Sequence, residues 1–137
     1  ASAAVLAIAL LCFATGSTIV GETLPSQTLA QALVVEIILT FFLMFVISAV
    51  ATDHRAVGQL AGVAIGGTVT LCALFGGPLT GASMNPARSL GPAIFGSGLH
   101  WMGLYTLGPI IGALAGARCY EWLRCSEHPG EDAKGCC

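Results

Sequence analysis

Charged side chains are scarce in this 137-residue chain, and their scarcity excludes most soluble folds. Only 9% of the residues are charged, whereas soluble domains carry about 25%. Residues 1–21, 56–87 and 89–117 contain no Asp, Glu, Lys or Arg. Because runs of about 20 apolar residues can cross a bilayer core, the composition predicts an integral membrane protein that contacts the lipid bilayer.

Clusters of basic residues are also missing. With five Lys and Arg in total and a net charge of -2, the chain offers no positively charged face for nucleic acid. No spacing of His and Cys resembles a zinc motif. We therefore expect no nucleic-acid partner, no metal and no cofactor.

The six cysteines do not form the pattern of a disulfide framework. Cys12, Cys72 and Cys119 lie in apolar segments, where a free cysteine behaves as a small hydrophobic residue. The other three belong to a polar tail, residues 124–137, which we expect to be unstructured and cytoplasmic. Thioester lipidation or metal binding there remains an alternative. These tail residues are Cys125, Cys136 and Cys137.

Four apolar segments alternate with polar breaks. The chain begins at Ala1 without a methionine or an early basic residue, so we expect no signal peptide and a start inside a helix. Residues 1–15 are expected to form the last part of one transmembrane helix, and residues 16–28 to form an extracellular loop. Further helices are predicted at the ranges 29–52, 57–75 and 101–123.

Basic residues indicate the orientation of these helices. Arg55, Arg118, Arg124 and Lys134 fall on one side of the predicted membrane, whereas residues 16–28 contain no Lys or Arg. The excess of basic residues on cytoplasmic loops therefore predicts a cytoplasmic C-terminus.

Small residues recur in two of the predicted helices. Gly58, Gly62 and Gly66 are spaced four residues apart, and the last helix has the same character around Gly108 and Gly112. Such spacing lets a neighbouring helix approach closely in a membrane.

Residues 76–92 contain too much Gly and Pro for a continuous helix. Asn85 is a favoured N-cap residue and Pro86 suits a first helical position, so a short helix is predicted from Pro86 to Phe95. The segment is either a plain extramembrane loop or a re-entrant loop that turns at mid-depth. In the second case residues 76–84 would expose carbonyl oxygens to a wet cavity.

Arg88 lies in this uncharged region. An arginine within the hydrocarbon costs about 2.5–3.5 kcal/mol and is usually kept for function. In a lumen its donors would bind a passing solute and its charge would repel cations. An ordinary surface arginine on an extracellular loop is the alternative.

The stretch GASMNPARSLGPA, from Gly81 to Ala93, resembles the second Asn-Pro-Ala signature of the aquaporin superfamily. Residues 51–58 and 76–78 are similar to the plant nodulin-like intrinsic proteins. The likeness extends from Leu29 to Arg124. It implies an all-α membrane protein with a six-helix bundle of two inverted repeats, each with one re-entrant half-helix. This chain would contain the second repeat, residues 29–123, without the first Asn-Pro-Ala loop.

The resemblance also implies roles for individual residues. Asn85 matches the asparagine that donates to the solute at mid-membrane, and Pro86 and Ala87 complete the turn into the half-helix. Arg88 matches the arginine of the selectivity filter. Gly81 begins the signature and belongs to the carbonyl-bearing segment that lines the pore.

Two alanines match the other filter positions in this half, Ala82 and Ala73. Strict water channels of the family have histidine at the position of Ala73. A methyl group there implies a wider and less polar constriction, as in members that pass glycerol, boric acid or other metalloid hydroxides.

Glu36 is a lone carboxylate within an apolar helix, where facing lipid would be costly. A proton relay would need titratable partners at a similar depth, and none is evident. The family resemblance implies instead that Glu36 accepts hydrogen bonds from backbone N–H groups of the re-entrant loop and supports its shape.

These observations together predict a passive channel for small uncharged solutes that excludes ions and protons. The resemblance further implies a homotetramer with one pore per subunit, and we expect it to lie in the plasma membrane. A strict water channel and an ion-coupled secondary transporter remain alternatives. An intramembrane enzyme is disfavoured because no nucleophile has a base at similar depth, and a purely structural protein would not need Arg88 beside an Asn-Pro helix start.

Overall fold

The computed structural model describes residues 2–17, 21–52 and 58–124. All regular elements in these ranges are helical, which confirms the predicted all-α class. Arg55, Lys134 and the three tail cysteines lie outside the described residues. The five main helices are α1 (Ser2–Thr15), α2 (Leu29–Ile47), α3 (Ala61–Thr80), α4 (Pro86–Phe95) and α5 (Met102–Leu123).

Helix α2 is the most apolar of the long helices. At the start of the helix, Gln31 Oε1 accepts hydrogen bonds from the Thr28 backbone N–H (3.2 Å) and hydroxyl (2.8 Å). These capping hydrogen bonds fix where the helix begins. A π-helical turn, Ser48–Thr52, continues it. Together they span 24 residues, and an 18-residue stretch within them has a mean hydropathy of 2.7, enough to cross a bilayer core.

Helix α3 corrects the prediction that the helix ends near Phe75. It begins at Ala61 and runs to Thr80, with Pro78 inside it. Proline removes one helical hydrogen bond, yet the last turn is held from outside: the Tyr105 hydroxyl donates to the Thr80 carbonyl at 2.7 Å. Gly81 then ends the helix in the left-handed conformation, at φ 77°.

This extension also shortens the predicted row of free carbonyls, because residues 76–80 of the predicted range 76–84 belong to α3. The Gly77 carbonyl accepts the Gly81 N–H at 2.9 Å, and the Gly76 carbonyl accepts the Thr80 hydroxyl at 3.4 Å. The non-helical segment between α3 and α4 is therefore short, residues 81–85.

Helices α2 and α5 pack with their backbones in contact. A Cβ atom at Gly112 would collide with the Ile37 carbonyl, one at Gly116 with the Phe41 carbonyl, and one at Gly108 would lie 2.9 Å from the Glu36 Cβ. The glycine stripe of α5 thus makes the close approach that small residues permit. In α3, by contrast, a Cβ at Gly62 or Gly66 would meet no atom of the described chain within 4 Å.

The α2–α5 contact yields a stability prediction. Gly112→Ala should destabilise the folded protein by about 1–3 kcal/mol because the new methyl group must displace backbone. Gly103→Ala is the matched control on the same helix, since a Cβ there has open space, and alanine's helix propensity should make that change neutral or favourable. Thermal unfolding in detergent measures both. Equal melting temperatures for the two variants would contradict this packing.

Large apolar side chains remain exposed along the outside of the bundle. Phe13 is 89% exposed on α1 and Trp122 is 85% exposed at the end of α5. The Ala61–Thr80 helix is also long enough to span a membrane, and an 18-residue stretch within it has a mean hydropathy of 1.6. Surfaces of this kind suit contact with lipid or with further transmembrane helices.

Candidate functional site

The short helix α4 starts where the sequence predicted. Asn85 is its N-cap, and Asn85 Oδ1 accepts the Ala87 backbone N–H at 2.9 Å. Pro86 occupies the first turn, where its missing N–H costs nothing. Because Oδ1 is committed to the helix, the side-chain NH₂ group of the exposed Asn85 points away from it and is a donor.

The turn that leads into α4 has an unusual backbone. Ala82 has φ 44° and Met84 has φ 52°, and both follow Gly81 at φ 77°. Left-handed conformations of residues other than glycine cost about 1–3 kcal/mol each and persist only where the surroundings impose them. The turn therefore needs external support.

Glu36 supplies that support from the middle of α2. Its Oε1 accepts the Thr80 hydroxyl at 2.7 Å and the Ser83 backbone N–H at 2.9 Å, and its Oε2 accepts the Met84 N–H at 2.9 Å. The Glu36 side chain is fully buried. Three donors to an ionised acceptor make strong hydrogen bonds in such a setting, so the carboxylate holds the strained turn against α2.

Tyr105 is a second buried support that the sequence reasoning missed. It is 0% exposed, and its hydroxyl fixes the Thr80 carbonyl from α5. Thr80 thus binds Glu36 through its side chain and Tyr105 through its backbone. A tyrosine in an apolar helix needs a hydrogen-bond partner when buried, and this requirement was the only signal available in the sequence.

A cluster of buried hydroxyls lies behind the turn and was also missed. Thr23 Oγ1 donates to Ser89 Oγ at 2.8 Å, and Ser89 Oγ lies 2.6 Å from Ser83 Oγ. Ser83 Oγ also donates to the Asn85 carbonyl at 3.1 Å. These contacts tie the segment before α2 to α4, so the signature is held on its buried side by hydroxyl groups.

Arg88 lies on the exposed side of α4, one turn after Asn85. Its guanidinium donates to the Gly81 carbonyl at 3.3 Å. This contact brings together Arg88 and Gly81, two of the residues that the sequence identified, across the turn. A fixed cation, an amide donor and a carbonyl-bearing turn therefore occur within a few residues of one another.

The two alanines occupy different environments. Ala73 is exposed on α3, directly after the buried Cys72. Ala82 is only 4% exposed and packs in a cluster with Leu39, Cys72 and Met84. The structure places Ala82 in the strained turn that Glu36 supports from α2. The filter roles of both alanines remain predictions.

Acidic, cysteine and histidine side chains are scattered in the part of the chain that the structure describes. No three of them come together in a way that could hold a metal ion.

Comparison with known proteins gives consistent matches. The sequence profile of the major intrinsic protein family matches residues 1–120. The chain is similar to Aquaporin NIP1-4 of Oryza sativa subsp. japonica, with 58% identity over 105 residues, covering 77% of this chain and 38% of that protein. It is also similar to Nodulin-26 of Glycine max, with 55% identity over 107 residues, covering 78% and 40%. The chain thus spans about two fifths of the length of these relatives.

Proposed function

Because the chain belongs to the major intrinsic protein family, whose members are integral membrane proteins, we propose that the full-length protein carrying it is a passive channel for water and small uncharged solutes. The solutes would be glycerol and boric acid or similar metalloid hydroxides. Two of its relatives are named Aquaporin NIP1-4 and Nodulin-26, which supports a channel rather than an enzyme.

The observation that carries the proposal is the arrangement at the start of α4. The Asn85 amide donor and the Arg88 guanidinium are both exposed there, and the Gly81 carbonyl contacts Arg88. A neutral solute with hydroxyl groups can exchange its hydration for such donors and acceptors. Cations are repelled by Arg88 and by the positive N-terminal end of α4.

The solute class rests on Ala73. Its methyl group leaves space in the constriction and offers no donor, which favours a solute that is wider and less polar than water. A pore-lining residue determines selectivity through its size and its hydrogen-bonding groups. Glycerol and boric acid combine small size, no charge and several hydroxyl groups.

Assembly and location complete the proposal. The exposed apolar surfaces of α1 and α5 suit a homotetramer embedded in lipid, with one pore in each subunit. The distribution of basic residues supports a cytoplasmic C-terminus, and the plasma membrane is the proposed location. We propose no cofactor, metal or nucleic-acid partner.

Stopped-flow light scattering on vesicles carrying the full-length protein tests this function. Wild type should pass glycerol and boric acid at rates at least tenfold above empty vesicles. Ala73→His should remove most solute flux and leave water flux within about threefold, because the imidazole narrows the opening and adds a donor. Ala73→Ser, small but polar, is the matched control and should retain solute flux.

Other outcomes identify the alternatives. Fast water flux without solute flux in wild type would make the protein a strict water channel. Saturable flux that responds to an ion gradient would make it a secondary transporter.

A further inference from the structure

Glu22 lies in the segment before α2 and contacts the far end of the half-helix. Its Oε1 accepts the backbone N–H of Ser97, and the Ser97 hydroxyl lies 3.3 Å from the same oxygen. Gly96 is the C-cap of α4, so this contact holds the chain directly after the half-helix ends. The proposed channel mechanism gives Glu22 no role.

The glycines beside Ser97 make room for the carboxylate. A Cβ at Gly96 would collide with the Glu22 carboxylate, and a Cβ at Gly98 would lie 3.3 Å from Glu22 Oε1. Gly96 has φ -111°, a value that any residue adopts, so what a side chain there would meet is the Glu22 carboxylate, which would have to move away. We call this contact between Glu22 and residues 96–98 the Glu22 clamp.

The same segment contacts α4 and the strained turn at further points. Thr23, the next residue, donates to Ser89 in the middle of α4. The Thr23 Cα would lie 3.0 Å from a Cβ at Gly81. The segment therefore holds the end of α4, its middle and the turn that precedes it.

We propose that Glu22 is a positioning residue that sets solute selectivity by fixing the C-terminal end of α4. Helix α4 has only 10 residues and is about 15 Å long, so a displacement at its end tilts Asn85 and Arg88 at its start. A misplacement of about 1 Å in a positioned group is enough to change function strongly. This inference rests on the proposed channel function.

A double-mutant cycle in the full-length protein tests the Glu22 clamp. Glu22→Ala removes the carboxylate that accepts the Ser97 N–H. Gly96→Ala keeps this carboxylate but displaces it with the added methyl group. Each should lower the ratio of glycerol to water permeability at least threefold in vesicles. The double variant should be no worse than Glu22→Ala alone, because the extra methyl group then has space.

Two matched controls separate positioning from general loss of stability. Glu22→Gln retains an oxygen that can accept the Ser97 N–H, so it should keep the ratio within twofold of wild type. Ser97→Ala retains the backbone donor and should do the same. Losses in the double variant equal to the product of the two single losses would overturn the proposal, as would a wild-type ratio in Glu22→Ala.

Hydrogen–deuterium exchange distinguishes failure of the clamp from failure of the channel function. The Ser97 amide should exchange at least tenfold faster in Glu22→Ala than in wild type, and unchanged exchange would refute the clamp. If wild type passes water but no glycerol, the proposed solute class fails. The Glu22 clamp is then tested by the water permeability of its variants. Glu22→Ala and Gly96→Ala should then each lower water permeability at least threefold, and absent losses would overturn the proposal.

Discussion

Glu36→Gln is expected to abolish most solute permeation without contact between this residue and the solute. An amide can accept from the Ser83 or Met84 N–H with its oxygen, but its NH₂ group then faces the remaining donor. Leaving one buried donor unsatisfied costs about 1–3 kcal/mol, and loss of the charge weakens the other hydrogen bonds. We expect a destabilisation of about 3 kcal/mol and at least a tenfold loss of glycerol flux.

The measurement combines thermal unfolding with stopped-flow flux at equal protein per vesicle. Thr80→Val is a graded control, because it removes one of the three donors and leaves the carboxylate with both backbone N–H groups. Its losses should be smaller than those of Glu36→Gln. Wild-type stability and flux in Glu36→Gln would show that the strained turn is maintained by other contacts.

Arg88→Ala is expected to admit cations. At about 5 Å and an effective dielectric constant of 20, two unit charges repel by about 3 kcal/mol, so removing the guanidinium should raise cation leak at least tenfold. The positive end of α4 remains and limits the effect. Neutral solute flux should persist, because Asn85 and the carbonyl of Gly81 are still present.

Arg88→Lys is the matched control for this experiment. Lysine keeps the charge but lacks the planar fork of donors, so the contact with the Gly81 carbonyl should weaken while cations stay excluded. Cation leak is read from the decay of an imposed ion gradient in vesicles, and glycerol flux from light scattering. An equal leak in both variants would mean that charge at this position does not exclude cations.

Local chemistry made the start of the half-helix predictable from sequence. Asn85 and Pro86 specify a helix start by themselves, and the structure has α4 at Pro86–Phe95 as predicted. Every property that this prediction used belongs to two or three adjacent residues. Elements determined in this way do not depend on the rest of the fold.

The end of α3 was predicted wrongly because distant residues determine it. Pro78 and two glycines favour an earlier stop, but Tyr105 fixes the Thr80 carbonyl and Glu36 fixes its hydroxyl. These partners are 25 and 44 residues away in sequence. Local propensity contains no information on such contacts, so only the fold could reveal them.

The buried hydroxyl cluster was missed for a related reason. Thr23 and Ser89 are 66 residues apart, and each is an ordinary polar residue in its own surroundings. The role of Glu36 was easier to predict, because a carboxylate in an apolar helix must find hydrogen-bond partners wherever they lie. The resemblance implied the backbone N–H groups as its partners, and the structure adds the Thr80 hydroxyl.

The strained turn has a consequence for the order of events during synthesis. Ala82 and Met84 adopt costly conformations that are held by Glu36 and Thr80. Glu36 is synthesised before the turn. The Thr80 carbonyl, however, is fixed by Tyr105, which is synthesised after it. Domains form as their parts emerge, yet this turn lacks one support until α5 has been inserted. The re-entrant segment should therefore reach its final depth only after the last helix enters the bilayer, which makes it a late step of biogenesis.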